Sequence, residues 1–217
     1  MKKILAIALC AVLCLGLLAG CGEAETVETT PAAELETIKV GASITPHAEI
    51  LEAVRGELEA QGYELEVVEY TDYILPNVSL SDGSLDANYF QHGPYLTTFN
   101  AEHGTDLANA ASIHYEPMGI YPGAKSTLDE LAEGDTIAIP NDGSNETRAL
   151  LILQDLGYIT LTEGINASSV ATVLDIVDNP MNLEILEMNA ENIPHSLPDV
   201  AFGIINGNYA LQAGLTG

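Results

Sequence analysis

Ile139-Pro-Asn-Asp-Gly-Ser-Asn-Glu-Thr-Arg148, followed by the leucine-rich run Ala149 to Leu156, is the stretch that decides how this chain folds. The short apolar run Thr136 to Ile139 predicts a strand, the Pro-Asn-Asp-Gly cluster predicts a tight turn, and the leucine-rich run predicts a buried helix. Either Asp142 or Ser144 can cap the first N–H groups of that helix. The sequence therefore places a strand, a turn and a helix N-terminus next to one another.

Arg148 falls in or near the first turn of this predicted helix, where a cation opposes the helix dipole. The negative charge of a bound carboxylate would offset this unfavourable interaction, because helix N–H groups and a guanidinium both offer directed donors to an anion. The alternative from the residues alone is a surface ion pair between Arg148 and Glu146 or Asp142. The chain carries 32 acidic residues against six lysines and arginines, and Arg55 is its only other arginine. Arg148 is therefore a candidate anion-binding residue.

The N-terminal segment predicts an exported, lipid-anchored protein. Two lysines precede an apolar run from Ile4 to Leu18, which is typical of a signal peptide over residues 1–20. Leu18-Ala-Gly-Cys21 resembles the bacterial lipobox, so Cys21 is the predicted lipidation site. Residues 21–36 are acidic, rich in Thr and Ala and without apolar period, and they predict an extended tether. The expected location is the extracytoplasmic face of the cell membrane.

Composition and motifs exclude several classes of function. A net charge of -26 repels nucleic acid phosphates, so no nucleic acid partner is expected. The sequence has no Gly-x-Ser-x-Gly motif, Walker loop or dinucleotide-binding glycine loop, so neither an enzyme nor a cofactor is predicted. No histidine stands at a metal-ligand spacing from another histidine or a cysteine, so no metal site is predicted, although a metal-binding lipoprotein stays an alternative. The five histidines are His47, His92, His103, His114 and His195.

Apolar periodicity after the tether predicts the α/β class. Thr37 to Ala42, a helix ending at Gly62 and Glu64 to Tyr70 form a strand-helix-strand unit, which favours a parallel sheet. The chain is expected to hold one or two strands between Ala108 and Tyr121 and to leave its sheet near Pro117. A second α/β block is predicted from residue 136 onward.

Asp86-Ala-Asn-Tyr-Phe-Gln-His-Gly-Pro-Tyr95 gathers aromatic and polar side chains where a strand ends and a helix begins. Open α/β sheets bind ligands at this position, and aromatic walls with a few polar groups suit a small amphiphilic ligand. The alternative is that Phe90 and Tyr95 are core residues and His92 is a structural histidine. Local sequence alone leaves both interpretations open.

Six blocks keep a common order and spacing between residue 37 and the end of the chain. They are Tyr70 to Asn77 (YTDYILPN), Asp86 to Leu96 (DANYFQHGPYL), Glu116 to Tyr121 (EPMGIY), Ile139 to Leu150 (IPNDGSNETRAL), Thr172 to Pro180 (TVLDIVDNP) and Ile204 to Ala210 (IINGNYA). Together they resemble the NlpA/MetQ lipoproteins, the substrate-binding proteins of methionine-uptake ABC transporters.

The resemblance implies an α/β, two-lobed periplasmic-binding-protein-like fold of type II that closes on its ligand. Lobe 1 would span residues 37–121, lobe 2 residues 122–205, and a return segment residues 206–217. Members of this family continue for tens of residues beyond the Gly-Leu-Thr segment, so lobe 1 is expected to be incomplete at the C-terminus and binding to suffer accordingly. The predicted function is delivery of methionine, D-methionine or a Met-containing dipeptide to an ABC permease in the membrane. A surface or adhesive lipoprotein without transport is a further alternative.

The resemblance also implies the contacts to such a ligand. Arg148 would clamp its carboxylate, Asn206 would hydrogen-bond its backbone end, and the Phe-Gln-His block would wall its thioether. Tyr89 stands where many members carry a small residue and would narrow the pocket. The complete set of expected ligand-binding residues is Arg148, Asn145, Asn206, Phe90, His92, Tyr95 and Tyr73.

Overall fold

The computed structural model describes residues 35–215, which begin with a small parallel sheet. Strand β1 runs parallel to both of its neighbours, β2 and β3, in the order β2-β1-β3. This confirms the parallel strand-helix-strand unit that the sequence predicts. The elements of this part are β1 (Glu36–Ser43), α1 (Glu49–Ala60), β2 (Tyr63–Tyr70), α2 (Leu75–Ser81), β3 (Ala87–Tyr89) and α3 (Gly93–His103).

A second, four-stranded sheet holds most of the remaining strands. Its order is β4-β9-β5-β8, with β4 antiparallel to β9 and the other pairs parallel, while β6 and β7 form a separate antiparallel pair. The elements are β4 (Met118–Pro122), β5 (Thr136–Pro140), α4 (Gly143–Asp155), β6 (Thr160–Leu161), β7 (Ile176–Asp178), β8 (Glu184–Met188), α5 (Ile193–Ser196), β9 (Phe202–Asn206) and α6 (Gly207–Gln212).

The fold is two-lobed and of the α/β class, as the sequence predicts. The strand β4 begins directly after Pro117, where the chain was expected to leave its first sheet, and it pairs within the second sheet. The boundaries at residues 121 and 205, and the incompleteness of lobe 1, stay predictions.

The second sheet carries the better-covered core. Ile137, Ile139, Leu150, Leu153 and Ile204 are fully buried where α4 packs against this sheet. By contrast, α1 contributes no fully buried side chain. Burial of aliphatic side chains stabilises a fold by about 25 cal/mol per Å² of apolar surface, so the packing of α4 on the second sheet contributes more stability than the packing of α1 on the first.

One strand, β4, forms between Ala108 and Tyr121, where one or two were expected, and it begins at Met118. The segment from residue 105 to 117 has no regular structure. Its Ala-Asn-Ala-Ala-Ser run has no alternating apolar residues that could cover a sheet. The stretch 168–177 holds a single turn at Val173–Asp175 and the start of β7, which is a mixture of helical and extended structure.

The predicted signal peptide and lipidated Cys21 lie outside the described residues, as does nearly all of the predicted tether. Within residues 35–215, no helix is both long enough and apolar enough to span a lipid bilayer.

Candidate functional site

The turn between β5 and α4 fixes one amide group in a single orientation. Asp142 is the N-cap of α4, and its Oδ1 accepts a hydrogen bond from Asn145 N at 3.0 Å. The side-chain Nδ2 of Asn145 also donates to both carboxylate oxygens of Asp142, at 2.9 Å each. Because the amide nitrogen Nδ2 is hydrogen-bonded to the Asp142 carboxylate, Asn145 Oδ1 must point away from the helix cap.

Three donors from three separate elements converge on Asn145 Oδ1. Arg148 Nη1 donates to it at 2.9 Å and Asn206 Nδ2 at 2.9 Å. His92 Nε2, at the start of α3, lies 3.0 Å from the same oxygen. The structure therefore joins four of the residues that the resemblance implies for ligand binding, and it links the helix that follows the first sheet to the second sheet.

The hydrogen bonds of His92 define its tautomer. Its Nδ1 caps α3 by accepting from Tyr95 N at 3.2 Å, so the ring proton must be on Nε2, which donates to Asn145. Burial lowers the pKa of His92, and the nearby Arg148 charge lowers it further, although the Asn145 hydrogen bond acts in the opposite direction. His92 is therefore a neutral hydrogen-bond donor at neutral pH.

Arg148 does not form an ion pair with Glu146 or Asp142, which was the alternative expected from the sequence. Among the described residues, no carboxylate oxygen lies within 4.0 Å of its guanidinium. Glu146 is instead buried and accepts a hydrogen bond from Val173 N at 2.9 Å. Burial lowers the pKa of Arg148, as expected for a cation that has lost much of its water. A half-buried guanidinium without a nearby carboxylate partner suits an anionic ligand.

An aromatic cluster lies beside these polar groups. The Tyr73 ring contacts three others, with centroid distances of 5.8 Å to Phe90, 5.7 Å to Tyr95 and 4.9 Å to Tyr209. Phe90 and Tyr95 are 8% and 7% exposed, so they are core residues of this part of the fold as well as candidate walls. The two interpretations of the Phe-Gln-His block are thus compatible.

Hydrogen bonds hold the Tyr73 ring in place. Its hydroxyl donates to Asn208 Oδ1 at 2.5 Å, and its backbone oxygen accepts from the Tyr95 hydroxyl at 3.0 Å. Tyr209, from the same helix as Asn208, donates to the Thr71 oxygen at 3.0 Å. These bonds tie α6 to the chain after β2, so the residues that follow Asn206 contact both sheets.

Asn208 and Tyr209 are further candidate site residues that the sequence did not indicate, since both contact Tyr73. Both lie in the Ile-Asn-Gly-Asn-Tyr block, and their signal was a second asparagine and an aromatic residue close to Asn206. Asn206 Oδ1 and Asn208 Nδ2 are buried without a hydrogen-bond partner in residues 35–215. A buried acceptor and a buried donor in this state favour a polar ligand that satisfies them.

Taken together, these groups can bind an anion and orient it, because every donor that meets at Asn145 Oδ1 is fixed by a second interaction or by burial. A small cavity of about 90 Å³ adjoins the site and is lined by Tyr95, Phe99, Asp142 and Gly143 among others. A further group of possible metal ligands is formed by His47, His114 and Glu116, and Glu116 lies close to Gly207, the residue after Asn206.

Comparison with known proteins gives consistent matches. A model of the NlpA lipoprotein family matches residues 38–217. The chain is 41% identical over 202 residues to the D-methionine-binding lipoprotein MetQ of Salmonella typhi, which covers 92% of this chain and 71% of that protein.

Solved structures agree with the sequence matches. Lipoprotein Tp32 of Treponema pallidum superposes with a TM-score of 0.79 at 38% identity, covering 83% of this chain and 75% of that one. A nutrient-binding protein of Burkholderia cenocepacia, solved with bound methionine, gives a TM-score of 0.78 at 42% identity, covering 82% and 75%.

Proposed function

Because this chain belongs to the NlpA lipoprotein family, we propose that it is a substrate-binding protein that delivers methionine, or a close relative such as D-methionine or a Met-containing dipeptide, to an ABC transporter. The family binds substrates rather than transforming them, and we infer no enzymatic activity for this member. The names of its relatives support the ligand, since one is called D-methionine-binding and another was solved with methionine.

The observation that carries the proposal is the convergence on Asn145 Oδ1. A guanidinium, an amide N–H and a neutral imidazole N–H all point at one oxygen acceptor, within 3.0 Å. A ligand carboxylate would offer these donors a stronger acceptor, because hydrogen bonds to an ionised oxygen are roughly twice as strong as neutral ones. The aromatic cluster around Tyr73 would cover the thioether, and sulfur packs favourably against aromatic rings.

Binding would couple to closure of the two lobes. His92 and Tyr73 belong to the part of the chain that builds the first sheet, whereas Asn145 and Arg148 follow β5 of the second sheet. A ligand that contacts both sets of residues would stabilise the closed arrangement. The stabilisation would equal the difference between its binding free energies for the closed and the open state. The boundaries proposed for the lobes are 37–121 and 122–205, with a return segment from Asn206.

We further propose that Cys21 carries a lipid anchor on the extracytoplasmic face of the cell membrane. The anchor would hold the binding domain next to its permease through the acidic tether. The membrane lipoproteins among its relatives support association with a membrane, and the net charge of -26 opposes binding to nucleic acid.

Isothermal titration calorimetry tests the ligand. L-methionine, D-methionine and a Met-containing dipeptide are titrated into protein that has been unfolded, dialysed and refolded to remove carried-over ligand. At least one of these should bind more tightly than alanine and glutamate, because the thioether adds apolar burial worth about 0.8 kcal/mol per CH₂. Equal affinities for all five compounds, or no binding by any, would refute the proposal.

A further inference from the structure

A histidine pair and a carboxylate meet near the connection between the two sheets. His47 lies in the turn that follows β1, while His114 and Glu116 lie in the irregular segment before β4. Glu116 Oε1 is 2.9 Å from His114 Nε2 and 3.6 Å from His47 Nε2. The three ligand atoms that these residues offer all lie within 4.8 Å of one another.

This spacing is close to what a metal ion needs. Zinc bonds to histidine nitrogen and carboxylate oxygen are about 2.0–2.2 Å long, which puts the ligand atoms of a tetrahedral site roughly 3.3 Å apart. The observed distances of 2.9 Å and 3.6 Å lie on either side of that value. The ligand nitrogens of His47 and His114 lie within 4.8 Å of each other, so side-chain rotation would bring the three atoms to the spacing that an ion needs.

The buried histidine is prepared for coordination. His47 is only 2% exposed, and its Nδ1 has no hydrogen-bond partner in residues 35–215. Its other nitrogen lies at 3.6 Å from a carboxylate oxygen, which is too long for a hydrogen bond. With no hydrogen bond to either ring nitrogen among the described residues, the unprotonated nitrogen is available to an ion.

Tyr89 contacts the ring nitrogen of His114 that does not face Glu116, and metal-binding histidines usually form a hydrogen bond through this second nitrogen. The Tyr89 hydroxyl is 2.5 Å from His114 Nδ1, so its oxygen can accept a hydrogen bond from Nδ1–H when Nε2 binds an ion. The rings of Tyr89 and His114 both pack edge-on against His47, with centroid distances of 4.9 Å and 5.0 Å. The cluster is therefore held together by packing as well as by hydrogen bonds.

We propose that His47, His114 and Glu116 form a binding site for a divalent transition-metal ion of the zinc class. Two imidazoles and one carboxylate favour zinc over calcium or magnesium, which prefer oxygen ligands alone. The side chains of His114 and Glu116 are 26% and 22% exposed, so solvent can reach the ion and a water molecule can complete its coordination. The ion would join the turn after β1 to the segment that enters the second sheet.

The fold, rather than the local sequence, creates this site. His47 and His114 are far apart in the chain, so no short metal-ligand motif connects them. The three metal ligands are none of the residues expected to bind the methionine-like ligand, and the two sites share only Tyr89, which contacts His114 and is expected to border the ligand pocket.

Titration of the full chain with zinc chloride, in excess calcium and magnesium, tests the proposal. We expect one zinc ion per chain. His114→Ala and Glu116→Gln should each weaken binding at least tenfold, and Tyr89→Phe should weaken it about tenfold while keeping the ring. His195→Ala is the matched control, since His195 is exposed and outside the cluster, and it should leave the affinity unchanged.

Circular dichroism and thermal melting should show that the variants stay folded. Unaltered zinc affinity in His114→Ala, an equal loss in His195→Ala, or no stoichiometric binding at all would overturn the site and leave only adventitious binding to an acidic surface. Zinc binding should persist in Arg148→Ala, which distinguishes a failure of this site from a failure of methionine binding.

Discussion

Replacing Arg148 by alanine is the sharpest test of the proposed binding site. The guanidinium is half-buried, donates to Asn145 Oδ1 at 2.9 Å and has no carboxylate within 4.0 Å among the described residues. Removing one partner of a buried, hydrogen-bonded charge pair costs about 2–4 kcal/mol of binding energy. Since 1.4 kcal/mol is tenfold in Kd, the affinity for methionine should fall roughly 30- to 700-fold.

The same change should have little effect on the stability of the ligand-free protein. Burial already lowers the pKa of Arg148, so its charge is poorly solvated and its removal relieves that cost. Asn145 Oδ1 keeps two other donors, Asn206 and His92. The free energy of unfolding should therefore change by less than about 1 kcal/mol, or rise. A higher Kd for methionine together with an unchanged free energy of unfolding would show that Arg148 has a binding role and not a structural one.

Calorimetry with methionine and urea unfolding provide the two measurements. Arg55→Ala is the matched control, because Arg55 is the other arginine of the chain and its guanidinium is held by Glu52 at the surface. Arg148→Lys should give an intermediate loss, since lysine keeps the charge but not the planar fork. Unchanged affinity in Arg148→Ala, or an equal loss in Arg55→Ala, would refute the carboxylate clamp.

Two further predictions concern the anchor and the buried acid of α4. Cys21→Ser should release the protein from the membrane fraction into the medium or periplasm, and its persistence in washed membranes, compared with a Cys10→Ser control, would contradict the lipobox. Burial, together with Glu187, raises the pKa of Glu146 to about 7. A carboxyl whose pKa is higher in the folded state contributes stability that is fully present below its unfolded pKa and is lost as pH rises through about 7. Glu146→Gln should remove this loss, which is on the order of 3 kcal/mol, so its melting temperature should exceed that of the parent more at pH 8 than at pH 5. An equal difference at both pH values would show that Glu146 does not titrate in this window.

Local chemistry made the region around α4 predictable. Thr136 to Ile139 is a compact apolar run, and the structure confirms it as β5. Asp142 was one of two predicted caps, and the helix begins at the residue after it. These features depend on hydrogen bonds between residues that are close in sequence, which is why a single sequence contains them.

Long-range convergence could not be predicted in the same way. The sequence indicated Arg148 and Asn145 as neighbours but gave no sign that His92 and Asn206 donate to the same Asn145 oxygen. His47 and His114 meet for the same reason, because β1 and the segment before β4 are brought together only by the packed fold. Where the chain lacks periodic apolar residues, as in the segment 105–117, no helix or strand forms, and the strand expected in this region begins only after Pro117.

Asn145 explains how ligand binding and lobe closure can draw on the same donors. Its amide nitrogen is occupied by both oxygens of Asp142, so only its oxygen is available to the cleft. That oxygen joins His92, near the first sheet, to α4 of the second. A ligand carboxylate would compete with a neutral amide for the same three donors, and its advantage is the difference between charged and neutral hydrogen bonds. The affinity would therefore be a difference between two hydrogen-bonded states, and the Arg148 charge, which an amide oxygen cannot neutralise, would favour the ligand carboxylate.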